Sequence, residues 1–347
     1  MKLLIYADPH ICRTSSIIRG QGQRLSVRLE MLIETFNWIN ELAKSESCDK
    51  IICLGDLVES PHLSAEELTM LSLIDINDHE MILGNHDKYS ADGFINAASL
   101  YKKAYIKPTV FYRSNEVNLV ALPYGEVIDL QTFIKINELP VDNTIVFSHN
   151  DVKGIFYGNH MTNHGYEFRD ILQSCRLFFN GHIHTGRELV KGRIINAGTV
   201  SGLNFNCQGA EWNPGVFIVD TKDMSYTYYE NPYGFVFIQV EFNDRLKLIE
   251  YFRKLDTKTN YCIQVKVPTK LVEDAREWIS KTNNILFSRV ITLPEVTTDT
   301  VDNTTSFVQS STSVYGLLHK FCEENVDRSK YDINLIQNEI NLMENEG

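Results

Sequence analysis

Short apolar runs in the first half of this chain end, five times over, in residues that can bind a metal ion. The runs lead into the sequences ADPH, GD, GNHD, SHN and GHIH. In layered α/β folds, ligands bind in the crevice at the carboxyl ends of the strands, so this pattern predicts one site built by five strand ends. Glycine precedes three of the five clusters and permits a sharp turn and a close approach to a ligand.

Seven residues at these strand ends are candidate metal ligands, namely Asp8, His10, Asp56, Asn85, His149, His182 and His184. They offer nitrogen and oxygen donors without a thiolate, a set that suits Mn²⁺, Fe²⁺ or Zn²⁺. Two ions that share one carboxylate and keep positions open for substrate need about this number of donors. Two such ions clamp the attacking and leaving oxygens in phosphoester hydrolysis. Each motif alone could be structural, as a turn, a loop histidine or part of a strand, so the prediction depends on their occurrence together and in this order.

The apolar runs also predict the fold. Eight of them are predicted as strands, at 2–7, 50–54, 80–83, 117–122, 144–148, 176–180, 193–196 and 215–219. A helix is predicted between the first two, because Leu25, Leu29, Leu32, Phe36 and Ile39 follow helical spacing. Strand, helix and strand early, with mostly strands later, indicate an α/β or α+β sandwich of sheets flanked by helices.

A second unit is predicted after residue 230, where the loops stop carrying metal-ligand residue types. Strands 235–242, 261–266 and 288–293 alternate with helices 244–255 and 271–281, which indicates a small α+β cap. A polar, aromatic-poor segment then predicts a linker. Two amphipathic stretches end the chain, with apolar positions Val314, Leu317, Leu318 and Phe321, then Ile333, Ile336, Ile340 and Met343. The predicted domains are therefore 1–230, 231–294 and 295–347.

Charge and cysteine content narrow the class of protein. The net charge of −12 argues against a broad phosphate-binding surface, and residues 295–347, with ten acidic and three basic side chains, carry −7 of it. The seven cysteines include no CxxC pair, so neither a disulfide framework nor a zinc knuckle is indicated. No apolar run approaches the ~20 residues of a membrane span. We therefore expect a cytoplasmic protein that does not insert into a membrane.

The ordered motifs Asp-x-His, Gly-Asp, Gly-Asn-His-Asp, His and Gly-His-x-His resemble those of the calcineurin-like metallophosphoesterase superfamily. Within it, the loop GIFYGNHMTNHGYEF, the later segment NAGTVSGLNFN and the cap with its tail resemble the SbcD-type double-strand-break-repair nucleases, particularly the short forms of tailed phages. The resemblance implies a four-layered α/β/β/α sandwich with a capping domain. It also implies a DNA exonuclease or endonuclease with two divalent ions, of which Mn²⁺ is expected and Mg²⁺, Fe²⁺ and Zn²⁺ are alternatives.

The resemblance implies a role for each site residue. The first ion is held by Asp8, His10 and His184, the second by Asn85, His149 and His182, and Asp56 bridges them. His86 is not a ligand but lies over the scissile phosphate, where it stabilises developing charge or protonates the leaving oxygen. Asp87 orients His86 through a hydrogen bond.

The resemblance implies partners as well. The two tail helices bind the coiled-coil base of an SbcC-type ATPase, which supplies the DNA-binding surface that this acidic chain lacks. A homodimer is expected through the helix at 25–42. The location is the bacterial cytoplasm, or the host cytoplasm if the chain is phage-encoded.

Other functions are open. A phosphodiesterase that acts on a small or cyclic nucleotide is the main alternative. A protein phosphatase is disfavoured, because GDLVESP lacks the usual Gly-Asp-x-x-Asp-Arg-Gly and Asp87 stands where those enzymes have Glu. A non-catalytic scaffold that recruits the ATPase is disfavoured by the intact His86. The remaining histidines are predicted at the surface or in loops, and they are His62, His79, His160, His164 and His319. Two of them, His160 and His164, are candidate substrate contacts.

Overall fold

Two six-stranded sheets form the centre of the computed structural model. The structure describes residues 1–293 except 14–17, 19, 21, 98–102, 126, 158–159 and 206–209. The strands are β1 (Lys2–Tyr6), β2 (Lys50–Cys53), β3 (His79–Ile82), β4 (Ala104–Tyr105), β5 (Thr109–Arg113), β6 (Asn118–Leu122), β7 (Thr144–Ser148), β8 (Phe156–Tyr157), β9 (His160–Met161), β10 (Leu177–Asn180), β11 (Arg187–Val190), β12 (Ile194–Asn196), β13 (Gly215–Asp220), β14 (Ser225–Glu230), β15 (Phe235–Glu241), β16 (Asn260–Pro268) and β17 (Ile285–Leu293). The α-helices are α1 (Val27–Ser45), α2 (Ala65–Leu73), α3 (Leu130–Ile136), α4 (Phe168–Ser174), α5 (Arg245–Lys254) and α6 (Val272–Lys281).

The central strands of each sheet are parallel. The first sheet has the order β14-β13-β1-β2-β3-β4, and the second has the order β11-β12-β10-β7-β6-β5. Pairing is parallel from β1 to β4 and along β6, β7, β10 and β12, whereas β13, β5 and β11 pair antiparallel with their neighbours. The carboxyl ends of β1, β2 and β3 therefore meet at one edge of the first sheet, as those of β7 and β10 do in the second.

Successive side chains of β1 face different layers, as the pleat of a strand requires. Leu3 packs in one core with Phe147 and Phe179 of the second sheet, whereas Leu4 and Tyr6 pack in the core that contains α1 and α2. The far side of the second sheet packs against α3 and α4. The layers are helix, sheet, sheet and helix, so the predicted four-layered α/β/β/α sandwich is confirmed.

A small three-stranded parallel sheet follows the two large ones. Its order is β15-β16-β17, and with α5 and α6 it builds a core of its own around Leu248 and Ile263. β15 lies against the body, because a Cβ on Gly202 (φ +75°) would lie 2.0 Å from the carbonyl oxygen of Phe235. The order of strands and helices is the one predicted for the cap, while the predicted helical tail at 295–347 falls outside the described residues. None of the helices in the described part has the length and apolar character needed to cross a bilayer.

The apolar stripe of α1 packs inside the protomer. The helix begins at Val27 because Ser26 is its N-cap, with the Ser26 side chain accepting a hydrogen bond from the Leu29 N–H. The five apolar positions that predicted the helix all belong to the buried core of the first sheet. The homodimer prediction, which depended on this stripe, stays untested and has no surface assigned to it.

The prediction that His79 lies at the surface or in a loop is wrong. His79 is the first residue of β3 and is 1% exposed. Its Nδ1 lies 2.9 Å from the hydroxyl of Tyr6, and its Nε2 lies 2.9 Å from Oδ1 of Asn40. His62 and His164 are exposed, as predicted. His319 lies outside the described residues, as does the side chain of His160.

Candidate metal centre

The loops that follow β1, β2, β3, β7 and β10 bring all seven candidate ligands to one edge of the sandwich. Four of these residues, Asp8, His10, Asp56 and His182, have positive φ angles between 47° and 70°. Only three other non-glycine residues in the described part of the chain do so. A non-glycine residue in this region costs roughly 1–3 kcal/mol and persists only where its surroundings hold it. Backbone strain is therefore concentrated at the candidate site.

The first group of donors is buried and consists of Asp8, His10, Asp56 and His184, whose donor atoms all lie within 4.8 Å of one another. The Nε2 atoms of His10 and His184 face each other at 2.9 Å. Oδ1 of Asp8 lies 3.8 Å from the first of these nitrogens and 3.7 Å from the second. Two imidazole nitrogens and a carboxylate thus converge on a point that one cation would satisfy.

The second group of donors consists of Asp56, His149 and His182, together with the amide of Asn85. Oδ1 of Asn85 lies 3.2 Å from Nε2 of His149 and 2.9 Å from Nδ1 of His182. Nδ1 of His149 lies 2.7 Å from the carbonyl oxygen of Leu54, so it carries the proton and leaves Nε2 as the donor atom. These residues offer two nitrogens and two oxygens to a second ion.

Asp56 belongs to both groups. Its Oδ1 accepts a hydrogen bond of 2.8 Å from the N–H of His86, and its Oδ2 lies 3.1 Å from Nε2 of His149 and 3.7 Å from Nε2 of His10. Oδ2 is buried and has no partner with hydrogen-bond geometry. An unsatisfied buried carboxylate oxygen is costly, and a cation beside it removes that cost. The residues present therefore fit two divalent ions that share Asp56.

Burial and mutual contacts shift the pKa values of the ligands. Burial opposes ionisation of Asp56, but contact with His149 outweighs it, so the pKa of Asp56 is lowered and that of His149 is raised to about 9. Burial raises the pKa of Asp8 well above its usual range and lowers the pKa of His10 and of His184. Protons thus compensate part of the charge of this site in the absence of metal, and ions that bind there must displace them.

His86 lies beside both groups at the open side of the site, with 35% of its side chain exposed. Its Nδ1 donates a hydrogen bond of 2.8 Å to the carbonyl oxygen of Glu59. Its ring meets that of His10 edge to face, with 4.9 Å between the ring centroids. His86 is therefore held next to the first group without being part of the shared donor set, and its action on substrate stays a prediction.

The predicted hydrogen bond between Asp87 and His86 is wrong. The carboxylate of Asp87 is fully buried and accepts hydrogen bonds from the backbone N–H groups of Gly84 at 2.9 Å, Asp56 at 3.0 Å and Val58 at 3.2 Å. Burial, and next the charge of Asp56, raise the pKa of Asp87 to about 6. Asp87 joins the loops after β2 and β3, and its hydrogen bonds come from the backbone rather than from the imidazole that it was expected to orient.

Two carboxylates beside the ligands escaped the sequence analysis. Oε2 of Glu59 lies 2.7 Å from Nδ1 of His10. Oδ1 of Asp151 lies 3.5 Å from Nε2 of His182, and its Oδ2 lies 2.9 Å from Nε2 of His164. Carboxylates in such positions orient metal-binding imidazoles and make them more basic. The sequence indicated these two carboxylates only by their nearness to candidate ligands, because Glu59 follows Asp56 by three residues and Asp151 follows His149 by two.

A buried arginine supports the loop that carries the first ligands. Arg28, in α1, is 1% exposed. Its guanidinium donates hydrogen bonds to the carbonyl oxygens of Pro9 at 3.1 Å, His10 at 3.0 Å and Gly202 at 3.1 Å. Nothing in the apolar spacing of α1 indicated this role. The helix therefore fixes the backbone of the first motif as well as covering the sheet.

A cavity of about 670 Å³ adjoins the first group of ligands at His184. The residues that line it include Phe237 of β15, Trp212, Glu211 and Glu230. Among the described residues that line this cavity, none is a lysine or an arginine. Its walls therefore suit an uncharged or aromatic group better than a phosphate.

The sequence matches the model of one protein family, described as calcineurin-like phosphoesterase, over residues 1–186. That span contains all seven candidate ligands as well as His86. No curated protein matches the chain.

Several solved structures are similar to parts of the chain. Yfce, a phosphoesterase from E. coli, is 15% identical over 67% of this chain and 100% of its own, with a TM-score of 0.30. The calcineurin-like phosphoesterase YfkN from Bacillus subtilis is 12% identical over 66% of this chain and 88% of its own, with a TM-score of 0.36. A predicted phosphoesterase from Streptococcus pneumoniae TIGR4 is 12% identical over 63% of this chain and 81% of its own, with a TM-score of 0.29. All three scores are low, so the assignment depends on the family match.

Proposed function

The chain belongs to the calcineurin-like phosphoesterase family, and from this premise we propose that it is a DNA nuclease with two divalent ions, most simply Mn²⁺. Metal-dependent hydrolysis of phosphoesters follows from the family. The proposal adds the substrate, which is DNA cut by exonuclease or endonuclease action, and the partner, which is an SbcC-type ATPase in DNA end processing, recombination and repair.

The observation that carries the proposal is the sharing of Asp56 between two groups of donors, with His86 at the open side. Bound ions would supply positive charge for the attacking and leaving oxygens of a phosphodiester. The backbone N–H of His86 holds Oδ1 of Asp56 and leaves Oδ2 directed at the imidazoles. Because Nδ1 of His86 donates to the carbonyl of Glu59, Nε2 is the nitrogen left to face the substrate. From the doubly protonated ring it can give its proton to a leaving oxygen, which returns the ring to the neutral form with its proton on Nδ1.

Support for DNA as the substrate comes from the sequence and from the cap. The loop between His149 and His182 and the segment before β13 resemble those of SbcD-type nucleases. The small sheet β15-β16-β17 with its two helices follows the body in the expected order. The acidity of the chain is concentrated at 295–347, which leaves a net charge of only −5 for residues 1–294. Divalent ions at the site would lower the repulsion of a polyanion further.

One observation favours a second candidate, a phosphodiesterase for small or cyclic nucleotides. The cavity beside His184 has a volume of about 670 Å³ and is lined by Trp212 and Phe237. Pockets for small ligands usually have volumes of roughly 300–1,000 Å³ and mostly apolar walls. A single nucleotide bound by its phosphate at the ions would place its base near these rings.

Competing substrates separate the two candidates. We expect the full-length protein with Mn²⁺ to shorten or nick end-labelled duplex DNA faster than it hydrolyses a cyclic mononucleotide or a p-nitrophenyl phosphodiester at matched phosphodiester concentration. Addition of an SbcC-type ATPase with ATP should increase duplex cleavage only. Hydrolysis of the small esters without any cleavage of DNA, in the presence of the ATPase, would favour the second candidate.

Replacement of His86 tests the mechanism. His86→Ser should reduce kcat by ~10²–10⁴-fold, the usual contribution of a general acid or base, while two ions per chain remain bound. His62→Ser is the matched control, because His62 is exposed and lies outside both donor groups. Activity of His86→Ser within a few-fold of wild type would show that this imidazole does not act on the substrate.

A further inference from the structure

We propose that Glu59 is a positioning residue that holds His10 through its carboxylate and His86 through its backbone carbonyl. The part that concerns His86 rests on the proposed function, whereas the part that concerns His10 needs only the metal site. Glu59 is not one of the seven candidate ligands, although it lies within the span of the family match. It is half-buried, with 41% of its side chain exposed.

The first contact determines which ring nitrogen of His10 carries the proton. Oε2 of Glu59 lies 2.7 Å from Nδ1 of His10, while Nε2 of the same ring faces His184 at 2.9 Å and Asp56 at 3.7 Å. The contact lacks the alignment of a hydrogen bond, but two lone pairs would repel each other at this distance, so the carboxylate favours the ring form with the proton on Nδ1 and a lone pair on Nε2 for the ion.

The second contact determines which ring nitrogen of His86 carries the proton. The carbonyl oxygen of Glu59 accepts from Nδ1 of His86 at 2.8 Å, whereas the carboxylate oxygen Oε1 is 4.0 Å from that nitrogen. The carbonyl is the closer acceptor, so the backbone of Glu59 rather than its side chain orients His86. This is the function that sequence reasoning gave to Asp87, whose carboxylate is engaged by three backbone N–H groups instead.

Two neighbouring loops hold Glu59 in this place. The N–H of Glu59 donates to the carbonyl of Ile11 at 3.2 Å, and the N–H of Ile11 donates to the carbonyl of Leu57 at 2.8 Å. Ile11 and Val58 form a parallel bridge between these loops. The loop after β1, which carries His10, and the loop after β2, which carries Asp56 and Glu59, are therefore in fixed register.

His10, Glu59 and His86 also meet the distance condition for a metal site, because one donor atom from each lies within 4.8 Å of the others. Two of these donor atoms already have other contacts. Nδ1 of His10 is already at hydrogen-bond distance from Oε2, and Nδ1 of His86 is engaged by a carbonyl. A third ion would have to displace both contacts.

Three variants of the full-length protein separate the two contacts. Glu59→Ala removes the carboxylate and keeps the carbonyl, Glu59→Gln keeps a neutral acceptor, and Glu116→Gln is a charge-matched control at an exposed position. Mn²⁺ affinity is measured by calorimetry, imidazole protonation by ¹⁵N NMR of the metal-free protein, and kcat at saturating Mn²⁺ with a p-nitrophenyl phosphodiester. Thermal unfolding verifies that each variant is folded.

We expect Glu59→Ala to weaken the first ion by about 10–100-fold, Glu59→Gln to weaken it less, and the second ion to be unaffected. The proton of His10 should lie on Nδ1 in wild type and be shared between both ring nitrogens in Glu59→Ala, while that of His86 stays on Nδ1. At saturating Mn²⁺, kcat of Glu59→Ala should return to within about three-fold of wild type, because the carbonyl that orients His86 is retained.

Other outcomes would overturn either this proposal or the proposed function. Unchanged affinity for the first ion, or a wild-type His10 with its proton on Nε2, would show that the carboxylate does not position His10. A kcat that stays about 100-fold low at saturating Mn²⁺ would show that the carboxylate acts directly in the reaction. Failure of the wild type to hydrolyse any phosphodiester would count against the proposed function alone, since the calorimetric and NMR measurements would still decide the role of Glu59.

Discussion

At the scale of single residues, His79 links stability to pH at a distance from the metal centre. Burial lowers its pKa from 6.5 to about 4, because the neutral ring lies between Tyr6 and Asn40. In the unfolded chain His79 takes up a proton near pH 6.5, so its stabilising contribution is complete above that pH. The contribution is lost as the pH falls from about 6.5 towards about 4, and by 1.36 kcal/mol per pKa unit it amounts to about 3 kcal/mol.

We therefore expect the free energy of unfolding of wild type to fall by about 2.5 kcal/mol more than that of His79→Gln between about pH 7.5 and about pH 4.5. Urea unfolding of both proteins in chelator measures this difference and keeps metal release out of it. Parallel pH profiles for the two proteins would mean that the unfolded and folded states protonate His79 alike.

The sharing of Asp56 makes a second prediction at this scale. Asp56→Asn should weaken both ions together, because its carboxylate faces His149 on one side and His10 on the other. His10→Ala should weaken mainly one ion, since only the first group loses a donor. The manganese content per chain after equilibration with excess Mn²⁺ distinguishes the two variants. A wild type that holds no more than one ion would contradict a two-metal centre.

At the scale of the elements, the strand ends depend on glycines that leave no room for a side chain. A Cβ on Gly84 would lie 2.1 Å from Oδ1 of Asp56 and 2.3 Å from its backbone nitrogen. Gly84→Ala should therefore cost about 1–3 kcal/mol of stability and displace the shared ligand, so that affinity for both ions falls. Gly125→Ala is the control, because no atom lies within 4 Å of its Cβ position and it should change stability by no more than about 0.5 kcal/mol. Stability is measured by denaturant unfolding and ion affinity by Mn²⁺ titration. Equal effects of Gly84→Ala and Gly125→Ala in both measurements would contradict this account.

The elements also show what the sequence could and could not predict. The eight apolar runs correspond to strands whose ends agree to within one residue, because fully buried strands such as β6 and β7 are continuously apolar. The strands β5, β11 and β14 were missed, since their residues are half-buried or exposed and make no apolar run. The candidate ligands were found because they lie where apolar runs end. Glu59, Asp151 and Arg28 were not, since their contacts join residues from separate strands or helices and have no spacing of their own.

At the scale of the whole molecule, the division between the body and the tail can be tested by truncation. The described residues lie in one unit, Met1–Glu295, whose cores in the two large sheets and the small sheet are formed by residues before 294. The segment 295–347 holds two amphipathic stretches and most of the negative charge. A protein that ends after Val296 should therefore fold, bind Mn²⁺ and cleave short or single-stranded DNA.

The same truncation should abolish binding of an SbcC-type ATPase and the ATP-stimulated processing of duplex DNA, because an apolar stripe that follows a polar linker is a typical partner surface. Two full-length variants refine the test. Leu317→Asp with Leu318→Asp places charges in the first stripe and should mimic the truncation, whereas Glu323→Gln with Glu324→Gln changes charge near the stripe and should bind normally. Co-sedimentation with the ATPase measures binding. Cleavage of single-stranded DNA verifies that each variant keeps its nuclease activity. If the ATPase still binds the truncated protein, its binding surface lies in the body, and if the truncated protein unfolds, the tail belongs to the core.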